Sequence, residues 1–183
     1  MRRDPDCELS LVIPFTDDEE RVGAMSRRAA AHLSALGVRH EILAVDEDSG
    51  DNSVTLLGLL RVPSLQVLPS TPGHGFAAGA RVARGRVLWL WDPEQAHAPL
   101  GALAWARRRV DDAGCDVAVV PGRFLVCRRT AAWRAVERAH GRGQAYERRL
   151  LAQARRRHLT VETPATASTP TGLFHRLLHL RRA

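Results

Sequence analysis

Short apolar runs punctuate this chain, and each stops at acidic or turn-forming residues. Residues 9–14 (LSLVIP), 40–45 (HEILAV), 65–68, 86–91 (RVLWLW) and 116–120 are of strand length and apolar nearly throughout. Runs of that kind predict strands buried on both faces. Stretches of helical length separate them. One opens at Asp17-Asp18-Glu19-Glu20, whose acids suit the positive end of a helix, and stops at Gly37. Others are expected near 53–60, over 76–83 and over about 100–113, the last introduced by Pro99. Strands and helices alternating at this spacing imply right-handed βαβ units, hence an α/β class with a mostly parallel sheet covered on both faces. Downstream the pattern predicts a strand over 123–127, helices near 130–140 and 145–157, an extended piece over 159–162 and a Thr/Pro/Ala-rich loop over 163–172.

Candidate chemistry sits where the runs end. The fourth, Val87-Leu88-Trp89-Leu90-Trp91, passes directly into Asp92-Pro93-Glu94. Two carboxylates two residues apart at the C-terminal end of a buried strand place hard oxygen ligands where open α/β sheets bind their ligands. The pattern points to a divalent cation and a phosphorylated substrate. The loop Asp46-Glu47-Asp48-Ser49-Gly50-Asp51-Asn52 reads, taken alone, as a solvated turn with a helix cap. Gly73-His74-Gly75-Phe76-Ala77-Ala78-Gly79 is not a dinucleotide fingerprint: it follows the third strand, and its third glycine falls one position late.

Bulk properties narrow the picture. A chain of 183 residues supports one domain, expected over 1–172. Residues 173–183 form a basic, amphipathic tail that suits either an anionic membrane surface or packing on the core. All 27 basic side chains are Arg, and the net charge is +7, so partners bearing phosphate or carboxylate groups are favoured. Aromatic residues are scarce in the Arg-rich stretches, which argues against a nucleic-acid binder. No run reaches the ~18 apolar residues of a spanning helix, and the N-terminus lacks the apolar stretch of a signal peptide, so a cytoplasmic location is expected. Cys7, Cys115 and Cys127 show neither disulfide nor zinc spacing.

Taken in order, these features resemble family 2 glycosyltransferases of the GT-A fold, in their polyprenyl-phosphate (dolichol-phosphate mannose synthase-like) branch. Pro14-Phe15-Thr16-Asp17-Asp18 is similar to the family's Pro-x-Tyr-Asn-Glu, and Val45-Asp46-Glu47-Asp48-Ser49-Gly50-Asp51 to its Val-Asp-Asp-Gly-Ser-x-Asp. Gly73-His74-Gly75, Ala83-Arg84-Gly85, Asp92-Pro93-Glu94 and His97-Ala98-Pro99 follow its glycine-rich helix, Ala-x-Gly, Asp-x-Asp and His-x-Pro. The segment Gly122 through Arg129 resembles Gly-x-Phe-x-Leu-x-Arg-Arg, and Val161-Glu162-Thr163-Pro164 resembles Val-x-Glu-x-Pro. The resemblance implies a GT-A nucleotide-diphospho-sugar transferase with a Rossmann-like sheet. It implies donor binding by Pro14, Thr16, Asp18, Asp46, Glu47 and Gly75, with Mg²⁺ or Mn²⁺ held by Asp92 and Glu94. It further implies a catalytic role for Asp92 and, for a hydroxyl acceptor, a base at Glu147. The expected reaction is metal-assisted, inverting transfer from a nucleotide-diphosphate sugar, the branch's acceptor being a polyprenyl phosphate.

Several positions depart from the pattern. Tyr-Asn-Glu is replaced by Thr16-Asp17-Asp18, the second Asp by Glu47, the following Gly by Asp48, and a further polar ligand by Ala96. Relatives carry an acceptor-side segment between the fifth strand and Gly-x-Phe, where this chain has only Pro121. The acceptor site is then either abbreviated or completed by a second copy in a homodimer. The alternative reading is a catalytically inactive relative that binds nucleotide or nucleotide sugar, or serves as an assembly partner.

Overall fold

The computed structural model describes residues 7–95 and 97–164, so the tail over 173–183 and Ala96 lie outside the described residues. Strands β1 (Leu9–Phe15), β2 (His40–Asp46), β3 (Leu65–Pro69), β4 (Val87–Leu90), β5 (Val117–Val120), β6 (Phe124–Arg128) and β7 (Val161–Glu162) form one sheet. Its order is β3-β2-β1-β4-β6-β5-β7. β6 runs antiparallel to β4 and β5, and the other pairings are parallel. The expected α/β class and its mostly parallel sheet are observed.

Burial on both faces explains the continuous apolar runs. Leu9, Leu11, Ile13 and Phe15 of β1 pack into one core with Trp89, while Val12, Leu43, Leu88 and Leu90 pack into the other. The first core is covered by α1 (Glu19–Ala35), α2 (Ser53–Leu59) and α4 (Gly101–Asp111), which supply Val22, Met25, Leu33, Leu57, Leu103 and Val110. The second is covered by α3 (Gly75–Val82), α5 (Arg129–Arg138) and α6 (Gly143–Arg156), through Phe76, Ala135, Val136, Tyr146 and Leu150. A side-chain period of two sends alternate residues of each strand to opposite layers, so neither face can be polar.

One helix boundary shifts. α4 begins at Gly101, two residues after Pro99, whose carbonyl accepts from Ala102 N at 3.2 Å in the preceding turn. On α5, Trp133 is 39% exposed, with the Arg134 guanidinium 5.7 Å above its ring. That cation–π contact covers one face of the ring without burying it.

α3 lies tight against β1 because Gly79 has no side chain: a Cβ there would run into Val12 Cγ1. Gly79→Ala should therefore lower unfolding free energy by roughly 1–3 kcal/mol in urea titration, the usual range for overpacking. Burial pushes the Cys127 thiol up to about 12 and the Cys115 thiol to about 11, which keeps both as unreactive thiols at neutral pH. Maleimide should label the half-buried Cys7 first in the native protein, and all 3 cysteines only in denaturant.

Candidate functional site

The sheet changes winding direction beside β1. α1 and α2, which follow β1 and β2, lie on one face, whereas α3, which leads into β4, lies on the other. The crevice between the C-terminal ends of β1 and β4 is thus the topological switch point, where open α/β sheets take their ligands. The acidic sequence motifs all emerge there.

The first two loops hold one another through their own acids. Asp17, at φ 48°, accepts from Gly50 N at 2.7 Å and Asp51 N at 3.2 Å, and its own N donates to Ser49 Oγ at 3.1 Å. Asp51 returns the contact by accepting from Glu19 N at 3.2 Å. Slight burial acts to raise the Asp51 carboxyl, but hydrogen bonds from Ser53 and Glu19 outweigh it and hold the group below its ordinary range. Asp46 accepts from Ser49 N at 3.0 Å, closing the turn. Glu47 is buried and faces the fold's interior: its Oε1 accepts from Gly75 N at 2.6 Å, and its carbonyl accepts from Thr16 Oγ1 at 3.3 Å. A Cβ on Gly75 would lie 2.5 Å from Pro14 Cβ and 2.7 Å from Glu47 Oε1. Pro14, Thr16, Glu47 and Gly75 therefore make one packed floor beneath the cleft.

Above that floor, Asp18 and Asp92 converge on Arg142. Both carboxylate side chains are 3% exposed; Arg142 Nε lies 3.4 Å from Asp92 Oδ2 and Nη2 lies 3.6 Å from Asp18 Oδ2. Arg21 also binds Asp18 Oδ1, at 2.5 Å through Nη2 and 2.6 Å through Nε. Asp92 is held further by Glu94 N on Oδ1 at 2.9 Å and by Gly143 N on Oδ2 at 3.0 Å. The strand before it sets this geometry: Trp91 stacks on Trp89 at 4.9 Å, and its Nε1 donates to Gln95 O at 2.9 Å, locking the 3₁₀ turn Pro93–Gln95. Glu94 is exposed, yet its Oε2 would lie 2.7 Å from a Cβ on Gly143. Asp92 and Glu94 thus approach the same backbone position. Among the described residues no three His, Cys, Asp or Glu side chains gather as a metal cluster.

Solved structures of other proteins share this fold. Glucosyl-3-phosphoglycerate synthase of Mycobacterium tuberculosis, in complex with Mn²⁺, UDP and phosphoglyceric acid, matches with a TM-score of 0.65 at 13% identity, over 86% of this chain and 68% of that one. The mannosyltransferase PcManGT of Pyrobaculum calidifontis, in complex with GDP-Man and Mn²⁺, matches at 0.64 and 12% identity, over 86% and 54%. TarS of S. aureus matches at 0.51 and 18%, over 62% and 35%. The chain has the GT-A fold. It spans between 35% and 68% of the length of these three structures. No protein-family model and no curated protein sequence matches it.

Within this GT-A sheet, the connection between β5 and β6 is a tight hairpin. β5 and β6 are joined by Pro121-Gly122-Arg123, with Gly122 at φ 62°. Glu147, half-buried on α6, accepts from Gly122 N at 3.3 Å, so it borders this hairpin at the same end of the sheet as Asp92. His97 is exposed. Among the described residues no helix is long and apolar enough to cross a membrane.

Sequence reasoning missed Arg142, Gly143 and Arg21. A signal for the first two was present: Gly141-Arg142-Gly143 opens a helix, and an arginine between two glycines at such a point marks a backbone bent for that side chain. Both glycines have positive φ, 95° and 56°.

Two substitutions test these loops. Asp48 is exposed at φ 70°, where the resembling family places Gly; Asp48→Gly should stabilise the fold by about 0.5–1 kcal/mol in thermal or urea unfolding. Gly143→Ala meets both a left-handed backbone and the Glu94 carboxylate, and should cost about 1–3 kcal/mol by the same measurement.

Proposed function

We propose that this protein is a compact glycosyltransferase that takes its sugar from a nucleotide-diphosphate donor. The observation that carries the reading is the convergence of Asp18 and Asp92, from the ends of β1 and β4, at the switch-point crevice. The neighbouring GT-A structures bound to UDP or GDP-Man support the donor class.

A divalent cation, Mg²⁺ or Mn²⁺, fits the donor set. Asp92 and Glu94 approach one point over Gly143, and Mg²⁺ commonly takes one or two carboxylates from protein, with substrate phosphates and water completing its shell. Bound there, such an ion would offset the charge that develops on the diphosphate leaving group. The chain's own residues do the rest. The Pro14, Thr16, Glu47 and Gly75 floor fixes the loop before α3, and Asp18 and Asp46 lie at the mouths of the first two loops to orient base and ribose. The proposed displacement is inverting, the acceptor entering on the face opposite the departing diphosphate.

In this reading the acceptor presents an anionic phosphate, as a polyprenyl phosphate does. Such a nucleophile is already ionised, so catalysis rests on positioning and electrostatics. If the acceptor is a hydroxyl, Glu147 is the carboxylate placed to receive its proton.

The second reading is a nucleotide-binding relative without turnover. The occupation of Asp18 by two arginines and the three-residue acceptor-side hairpin favour it.

Nucleotide-sugar hydrolysis with Mn²⁺ separates the two: turnover that disappears in Asp92→Ala supports the enzyme, whereas binding without turnover supports the second reading. Turnover unchanged in Asp92→Ala removes this crevice from the chemistry. Thermal-shift screening of UDP- and GDP-sugars identifies the base, since a ligand at 100 times its Kd adds about 2.7 kcal/mol of apparent stability.

A further inference from the structure

The guanidinium of Arg142 occupies the ground that a cation and a diphosphate would need, and its contacts show how it can leave. Its distances to Asp92 and Asp18, 3.4 and 3.6 Å, exceed the ~2.7–2.9 Å of a tight charge-assisted hydrogen bond, so it is shared between the carboxylates and clamped to neither. Each carboxylate keeps other donors without it. Asp18 retains Arg21, and Asp92 retains the backbone N–H groups of Glu94 and Gly143. Removing Arg142 from between them therefore leaves neither buried acid without a partner, which is the usual barrier to breaking such a pair. The side chain is 22% exposed and springs from between two glycines with positive φ, and Gly141 N is anchored to Gly73 O at 2.8 Å, on the loop that leads into α3.

We propose that Arg142 is an exchangeable counter-charge: it neutralises Asp92 and Asp18 in this structure, yields Asp92 when a divalent cation binds there, and turns to the diphosphate of the incoming nucleotide. This rests on the reading of the crevice as a nucleotide-diphosphate site and adds to it the coupling between metal and nucleotide. Arg142 opposes metal binding on its own, because a second cation beside Asp92 is repelled by the guanidinium. It supports the two ligands together, because the diphosphate gives the displaced guanidinium a bidentate anionic partner. No covalent bond changes in this exchange.

Calorimetric titration of the full chain with Mn²⁺ alone, and with UDP and GDP in the presence of Mn²⁺, tests it. Arg142→Gln should bind Mn²⁺ alone about tenfold more tightly than the wild type, and whichever nucleotide the wild type accepts about tenfold more weakly, both within the usual span of coupling between sites. Equal affinities in the variant and the wild type overturn the role of Arg142 while leaving the nucleotide site intact. A wild type that binds neither UDP nor GDP with Mn²⁺ overturns the site reading itself. Nuclear magnetic resonance of the wild-type arginine Nε–H groups gives an answer that does not depend on the variant folding, with Arg142→Lys assigning the signal. The Arg142 resonance should move when Mg²⁺ and the accepted nucleotide are added, and an unmoved resonance under saturating ligand overturns the exchange.

Discussion

Strand β1 has a hydrogen-bonded neighbour on each edge and a helical layer on each face, and its seven residues are all buried. A strand so enclosed has one place for polar chemistry, the point at which the chain leaves it. The same holds for β4, whose four residues are buried and which ends one residue before Trp91-Asp92. Because β1 and β4 are adjacent and parallel, their exits open into one crevice. The crossovers change face between them, which makes that opening the switch point of the sheet.

What fills the crevice follows from electrostatics. Two carboxylates this deeply buried require paired donors, and the chain answers with a guanidinium between them, backed by Arg21 and by two backbone N–H groups. Arg suits this task better than Lys, because its planar fork can address two acids at once. The surrounding loops are stiffened in the same way. Asp17 and Asp51 each close on the other loop's backbone, and Glu47 ties β2's exit to the start of α3, so a dense acidic surface in the sequence is largely consumed as internal scaffolding.

Most of the architecture was legible in the sequence, since buried parallel strands produce short apolar runs bounded by turn formers and alternating with stretches of helical length. Asp92 and Glu94 were legible for the same reason: they end such a run. Glu47 was harder to read. In the structure its carboxylate accepts from Gly75 N beneath the cleft, a contact between residues 28 apart.

Local patterning alone was sufficient for the α/β class, the strand order of events along the chain and the acids at the strand exits, because each depends on residues near one another in sequence. It could not reveal the partners of Arg142. The ion pairs that join this side chain to Asp18 and Asp92 link the start of α6 to the ends of β1 and β4, and one of them spans 50 residues. The flanking glycines single out Arg142 among 27 basic residues, but nothing local to them names the acids that it reaches. Only the packing of α6 against the second face of the sheet carries it over the crevice, and with it the charge balance on which the site depends.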